Sequence, residues 1–326
     1  MKKVLILGVN GFIGHHLSKR ILETTSWEVY GMDMQNDRIG DLLSNPRMHF
    51  FEGDITINRE WVEYHVRKCD VILPLVAIAT PATYVQEPLR VFELDFEANL
   101  PIVRSAVKYG KHLVFPSTSE VYGTAQYVPM DEGHVLQGQS PYSATKIGAD
   151  MMVKSFYSSF ELPTITIRPF NTYGPRQSAR AVIPTIISQL ASGMKTINLG
   201  ALTPTRDFTY VTDTAKGFEK ALHATTGFGE VTNLGVGFEV SIGETFNIIN
   251  DIMGAGAVAT EDPNRIRPAN SEVERLFSDN TKAKTVLGWE PEIKGLDGFR
   301  VGLEKTVEWF TNPVNLAKYR PTEYTV

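Results

Sequence analysis

Through about residue 170 the chain alternates short apolar runs with longer stretches in which apolar residues recur at helical spacing. The runs Lys3–Leu7, Glu28–Asp33, His49–Asp54, Val71–Leu75, His112–Ser117 and Thr164–Pro169 read as strands. Between them Phe12–Leu22, Pro88–Lys108 and Tyr142–Phe160 read as crossover helices. This alternation predicts a doubly wound α/β architecture, a parallel sheet covered by helices on both faces. Beyond Pro169, clusters of Gly, Pro and Thr interrupt shorter segments and the alternation is lost. Residues 1–170 are therefore expected to form one domain, and residues 171–326 mainly a smaller α/β lobe with some segments returning to the first. The lobe is expected over the C-terminal edge of the sheet, where open α/β sheets hold their ligands.

A length of 326 residues accommodates two such coupled units with a sizeable core. Hydrophobic residues make up 42% and charged residues 21%, without low-complexity tracts, which excludes disordered, collagen-like and fibrous classes. The net charge of −5 comes without a basic run, so neither nucleic acid nor an anionic membrane surface is an expected partner. Cys69 is the one cysteine, which leaves no disulfide framework and suits a reducing compartment. The apolar stretch after Met1-Lys2-Lys3 stops at Gly8, short of an export signal, and no segment reaches the roughly 18 apolar residues of a membrane span. A cytoplasmic location is expected.

Gly8-Val9-Asn10-Gly11-Phe12-Ile13-Gly14 follows the first strand directly. Glycines at that spacing let backbone amides at a helix N-terminus approach a pyrophosphate without interference from Cβ atoms. The second strand ends in Asp33, nineteen residues after Gly14, where a carboxylate can accept hydrogen bonds from an adenosine ribose. That carboxylate would repel a 2′-phosphate and no arginine follows it directly, so NAD is favoured over NADP. Asp54-Ile55, at the end of the third strand, reads either as an adenine contact or as a simple turn or helix cap. His15-His16 lacks a third ligand at useful spacing, so no metal is expected.

Tyr142-Ser143-Ala144-Thr145-Lys146 sets a phenol and an ammonium four residues apart, on one face of a helix. A neighbouring cation favours phenolate over phenol, so Tyr142 can take a proton from a substrate hydroxyl while hydride leaves the same carbon for NAD. Ser117-Thr118-Ser119-Glu120, at the end of the preceding strand, offers hydroxyls to orient that oxygen. Arginines suit a diphosphate because a guanidinium can make two parallel hydrogen bonds to it.

These motifs resemble the extended short-chain dehydrogenase/reductases, in the branch that acts on nucleotide-diphosphate sugars. The resemblance implies a Rossmann-type doubly wound parallel sheet with a smaller C-terminal α/β substrate-binding lobe. It implies roles for Thr118 as hydrogen-bonding hydroxyl, Tyr142 as base, and Lys146 as its electrostatic partner and ribose contact, with Ser119 and Glu120 completing the catalytic set. Residues 3–123, including Leu73-Pro74-Leu75-Val76-Ala77-Ile78-Ala79-Thr80-Pro81, are similar to the UDP-glucuronic acid decarboxylase domain of the bifunctional polymyxin-resistance enzyme. From about Ser117 onward the chain is similar to the legionaminic-acid-pathway 4,6-dehydratases. The matching stretches include Gly138-Gln139-Ser140-Pro141-Tyr142-Ser143, Arg168-Pro169-Phe170-Asn171-Thr172-Tyr173-Gly174-Pro175-Arg176 and Arg267-Pro268-Ala269-Asn270-Ser271-Glu272-Val273-Glu274-Arg275. The implied substrate contacts are Ala79, Tyr84, Thr118, Asn171, Arg176, Arg206, Arg267 and Arg275.

The two likenesses share a first step, oxidation at C4 of the sugar, and part at the second. A dehydratase removes the C5 proton, for which Glu120 is the candidate base, and eliminates the C6 hydroxyl. A decarboxylase needs a cation near a C6 carboxylate, for which Arg275 is the candidate. A 4-epimerase needs only Thr118, Tyr142 and Lys146, and a non-catalytic NAD-binding protein would need none of them. The short stretch between Gly123 and Tyr142 and the substrate lobe favour the dehydratase, with a UDP- or GDP-N-acetylglucosamine substrate. Asp95 stands in Leu94-Asp95-Phe96 where many family members carry Asn, and is expected to tie helix to sheet. By the same resemblance a homodimer is expected, with Pro88–Lys108 and Tyr142–Phe160 forming a four-helix bundle.

Overall fold

The computed structural model describes residues 1–79, 81–266 and 271–316. Six strands, β1 (Lys3–Leu7), β2 (Glu28–Asp33), β3 (Met48–Glu52), β4 (Val71–Pro74), β5 (His112–Pro116) and β6 (Thr164–Pro169), match the expected runs to within a residue or two. Later in the chain come three two-stranded ribbons: β7 (Asn171–Tyr173) with β10 (Phe208–Tyr210), β8 (Thr196–Leu199) with β13 (Val258–Glu261), and β9 (Thr205–Arg206) with β12 (Val240–Ser241). The remaining strand, β11 (Val231–Leu234), returns to the main sheet, whose order is β3-β2-β1-β4-β5-β6-β11 with every neighbouring pair parallel. This is the doubly wound α/β fold expected from the sequence, and the crevice of such a sheet lies where the order reverses, between β1 and β4.

The central strand shows why its sequence is continuously apolar. Side chains alternate across a strand, so Val4 and Ile6 of β1 enter the core on one face while Leu5 and Leu7 enter the core on the other. The first face is covered by α1 (Phe12–Thr24) and by α8 (Val211–His223), whose Ala215, Phe218, Ala221 and Leu222 join the same core. The second is covered by α2 (Arg59–Lys68), α5 (Asn99–Lys108) and α6 (Pro141–Phe160). A third core, built on α7 (Val182–Ala191), α9 (Ile242–Ile252) and α11 (Gly295–Thr311), holds the C-terminal lobe together.

The lobe is thus interleaved with the sheet: α8, β11 and Trp289 come from beyond residue 170 yet pack with the first domain. The expected helix Pro88–Lys108 is in fact three pieces, α4 (Pro88–Phe92), a π-helical turn at Glu93–Glu97, and α5. The wide turn carries Asp95 inward, where Oδ1 accepts a hydrogen bond from the backbone amide of Ile78 at 2.8 Å. Such turns recur at functional sites because they redirect one side chain without ending the helix. Helix α2 was missing from the sequence reading since only Val62, His65 and Val66 of its ten residues are buried, a thin periodic signal.

Beneath the C-terminal ends of β5 and β6 lies a buried ion pair. Arg168 donates from Nε (3.0 Å) and Nη2 (2.9 Å) to Asp150 Oδ2, and both side chains are at most 2% exposed. Ser117 Oγ donates to the same oxygen at 2.9 Å, and Arg168 Nη1 donates to Tyr122 Oη at 3.0 Å. Removing one partner strands the other charge in the core, at a cost of about 3–5 kcal/mol. Asp150→Leu is therefore expected to destabilise the fold by about that amount in urea unfolding, and the double variant D150L/R168M to regain most of it. Additive losses in the double variant would contradict the coupling.

Candidate active site

The glycine turn after β1 is tight enough to dictate its residues. Gly8 has φ of +88°, and a Cβ there would lie 3.0 Å from the backbone of Leu75 and Val76 just after β4. A Cβ on Gly14 would come within 2.4 Å of the Gly8 carbonyl oxygen. Glycine at both places lets α1 begin directly against the turn, with the helix N-terminus bare toward the crevice. Gly11 and Phe12-Ile13 complete that first turn.

Asp33, at the end of β2, accepts hydrogen bonds from the amides of Asn10 (2.9 Å) and Met34 (2.8 Å). Burial pushes its carboxyl up from the usual range, against the pull of those amides. Asn10 Oδ1 accepts from the amides of Arg38 and Ile39, and Nδ2 donates to Asp37, so the glycine turn and the loop after β2 form one hydrogen-bonded wall. A glycine cradle with a carboxylate beside it suits the pyrophosphate and ribose of a dinucleotide. Asp54 spends Oδ1 on the amide and hydroxyl of Thr56, the turn alternative raised for it, while Ile55 is buried under the sheet.

The candidate catalytic residues come from two elements with strong local determinants. Ser140 and Ser143 form a reciprocal capping box with Pro141 at the first helical position, which starts α6 one residue before Tyr142. Tyr142 and Lys146 then share a face, with Lys146 Nζ 5.9 Å from the centre of the Tyr142 ring and donating to the Pro116 carbonyl at 3.3 Å. Thr118 caps the short 3₁₀ turn Ser119–Tyr122 by accepting from the Glu120 amide at 3.2 Å, and its hydroxyl also meets the Tyr142 phenol. Ser119 is buried at the start of the turn; Glu120 is half-buried. Tyr84 lies parallel to Tyr142 with ring centres 6.0 Å apart.

Without ligand the Tyr142 phenol is held well above its usual pKa, first by burial, then by the charges of Asp95 and Glu120; the Thr118 hydrogen bond opposes this. Asp95 is itself pushed up by burial and pulled down by Lys146, and its Oδ2 is buried with no hydrogen-bond partner. Sequence reasoning gave Asp95 a tie from helix to sheet; the structure adds a charge that faces both catalytic side chains. Asp150, one turn beyond Lys146, also escaped it, although a carboxylate at that spacing points along the same helix face.

The substrate-side residues divide. Asn171 Oδ1, at the start of β7, is buried without a hydrogen-bond partner. Arg206, buried in β9, pairs with Glu272 at 3.1 Å. Arg275 is half-exposed and grips Glu239 with two nitrogens, while Arg176 reaches Arg38 and Asp41 on the wall beside Asp33. Ala79 is exposed beyond β4, Arg180 donates to Thr83 across from it at 3.1 Å, and Arg267 lies outside the described residues. Among the described residues no His, Cys, Asp or Glu cluster of three is arranged to hold a metal, and no helix is long and apolar enough to cross a membrane.

A glycine cradle at the switch point and a Tyr–Lys pair on α6, beside the hydroxyl of Thr118 after β5, define a dinucleotide-dependent enzyme of the extended short-chain dehydrogenase/reductase class. A family model described as GDP-mannose 4,6 dehydratase matches residues 5–301, and the chain belongs to that family of nucleotide-sugar enzymes. Among solved structures it is 44% identical to the PbgP3 protein of Burkholderia pseudomallei, with a TM-score of 0.85 over 97% of this chain and 98% of that one. The UDP-glucuronic acid 4-epimerase of Bacillus cereus, solved with UDP-glucuronic acid and NAD, is 26% identical with a TM-score of 0.86, over 94% of this chain and 98% of its own. The dTDP-glucose 4,6-dehydratase of Bacillus anthracis, solved with NAD, is 26% identical with a TM-score of 0.84, over 96% and 97%.

Asp95→Asn keeps the acceptor for Ile78 and removes the charge that opposes a phenolate at Tyr142. Because less negative charge favours phenolate, the ascending limb of the kcat/KM profile is expected to move to lower pH in this variant. A limb that stays in place or moves upward would remove Asp95 from the electrostatics of the site.

Proposed function

We propose that the chain is an NAD-dependent nucleotide-sugar 4,6-dehydratase acting on UDP- or GDP-N-acetylglucosamine. Gly8, Asn10, Gly11, Gly14 and Asp33 would hold NAD, with Lys146 at the nicotinamide ribose; once bound, NAD supplies the acceptor for the C4 hydride and later returns it. Tyr142 takes the C4 hydroxyl proton, Thr118 holds that oxygen, and the Lys146 cation lowers the cost of the phenolate. In the 4-keto sugar the C5 proton is acidic, and Glu120 removes it so that the C6 hydroxyl can leave. Asn171, Arg206 and Arg267 would engage the diphosphate, with Ala79 and Tyr84 on the sugar side.

The observation that carries this reading is the position of Glu120. It follows Thr118 by two residues on a turn capped by that same threonine, and its charge is felt at the Tyr142 phenol. A 4-epimerase needs only Thr118, Tyr142 and Lys146, so the carboxylate of Glu120 speaks against it; a decarboxylase would share Ser119-Glu120 but would also need a cation at the sugar, and the candidate for that, Arg275, is held by Glu239 on the surface.

The purified enzyme incubated with UDP-N-acetylglucosamine and with GDP-N-acetylglucosamine is expected to yield a product lighter by one water in the mass spectrum. Glu120→Gln should still exchange hydride at C4 but lose elimination by roughly a hundredfold or more, the usual scale for a missing general base. Release of carbon dioxide from UDP-glucuronic acid, with the N-acetylated sugars untouched, would replace this reading with the decarboxylase; C4 inversion alone would replace it with the epimerase.

We also propose a homodimer through α4, α5 and α6, whose surfaces expose Leu89, Phe92, Leu100, Met151 and Phe160. Light scattering is expected to give twice the monomer mass, and Leu89→Glu with Phe160→Glu to halve it. A wild-type monomer would end this assignment.

A further inference from the structure

The histidine doublet of α1 and the arginine after β7 have no part in the chemistry above, and the structure joins them. Arg176 adopts a left-handed backbone, φ +71°, unusual for a residue with a side chain and a sign that its surroundings hold it there. From that position Nη1 donates to the Arg38 carbonyl at 2.7 Å and Nη2 to Asp41 Oδ2 at 3.3 Å. Asp41 Oδ1 lies 3.1 Å from His15 Nε2, and His16 Nε2 lies 2.9 Å from the Pro175 carbonyl oxygen. A carbonyl only accepts, so His16 donates. Burial takes both imidazoles down to about 4, with the Arg176 charge adding to it, so both are neutral near pH 7 and each carries one N–H.

The grip of Arg176 is on the loop that closes the wall beside Asp33. Arg38 and Ile39 donate their amides to Asn10 Oδ1, and Asn10 in the glycine turn donates its own amide to Asp33. A continuous line of hydrogen bonds therefore runs from the substrate lobe, through Arg176 and the loop 34–41, to the carboxylate and the turn expected to hold an adenosine diphosphate. Arg176 spends its donors on this wall, where the sequence resemblance had given it to the substrate.

We infer that Arg176 is a positioning residue for the adenosine end of the cofactor, and that Arg176, Asp41, His15 and His16 form a clasp fastening the substrate lobe to the cofactor wall. This rests on the dinucleotide reading of the glycine turn. Fastened from the far lobe, the loop stands ready for the ribose. Without the clasp it must be ordered at the moment of binding, which weakens affinity.

The test is calorimetric titration of the full chain and of Arg176→Met with NAD, with ADP-ribose, and with UDP and GDP. The expected result is a Kd about tenfold weaker for both NAD and ADP-ribose, the scale of one lost charged hydrogen bond, while nucleoside diphosphate affinity holds within about twofold. Unchanged NAD affinity, or a loss confined to UDP or GDP, would overturn the clasp and return Arg176 to the substrate. Failure of the wild-type chain to bind NAD in the same titration would sink the dinucleotide reading and the clasp with it, an outcome distinct from equal binding by both proteins. Should Arg176→Met fail to fold, judged by its thermal transition, Asp41→Asn decides: it removes the charge and keeps a single acceptor oxygen, with an NH2 donor in place of the other, and an about threefold weaker NAD with unchanged UDP and GDP is expected, against no change if the clasp is wrong.

Discussion

One carboxylate oxygen, Asp150 Oδ2, receives hydrogen bonds from Ser117 and from two nitrogens of Arg168, and the geometry of the candidate site hangs on it. Asp150 stands one turn past Lys146 on α6, Ser117 precedes Thr118 at the end of β5, and Arg168 belongs to β6. The guanidinium reaches on to Tyr122, whose hydroxyl donates to Asn233 of β11 at 2.6 Å, which in turn donates to the Met130 carbonyl. Three parallel strands and α6 are thus pinned at the level where Thr118, Tyr142 and Lys146 emerge. In a low-dielectric interior such a network stays only if its members satisfy one another, so it specifies a single arrangement.

The same site shows how one short stretch of chain serves structure and chemistry together. Thr118 caps the turn that presents Glu120 and meets the phenol of Tyr142; the Ser140 capping box fixes where α6 begins, and hence which residues face the crevice. Around the phenol, burial, Asp95 and Glu120 all favour the protonated state, with the Thr118 hydrogen bond against them. The tyrosine is therefore held neutral, and the charges that set the balance come from two turns, the π-helical one that carries Asp95 and the 3₁₀ one that carries Glu120.

The C-terminal lobe is no appendage. Its helix α8 covers α1, Arg20 of α1 reaches Glu219 of α8 at 2.5 Å, and Trp289 donates to the Asp213 carbonyl from within the core of the sheet. The lobe is thus joined to the sheet through α8 and β11, and Arg176, after β7, reaches the loop after β2.

Much of this was legible beforehand. Strand identity followed from apolar runs because parallel strands buried on both faces have no polar side to show, and the glycine turn, Asp33, Thr118, Tyr142 and Lys146 were readable because their spacing is local: one strand, one turn, one helix. What the sequence could not determine was everything that depends on which distant groups meet. The pairing of Asp150 with Arg168, the return of β11 to the sheet edge, the inward turn of Asp95 and the attachment of Arg176 to the loop after β2 join residues 17 to 138 positions apart. No periodicity records such meetings, because they are selected by packing and by the cost of leaving a buried charge or amide unpaired, and those terms exist only once the chain has folded.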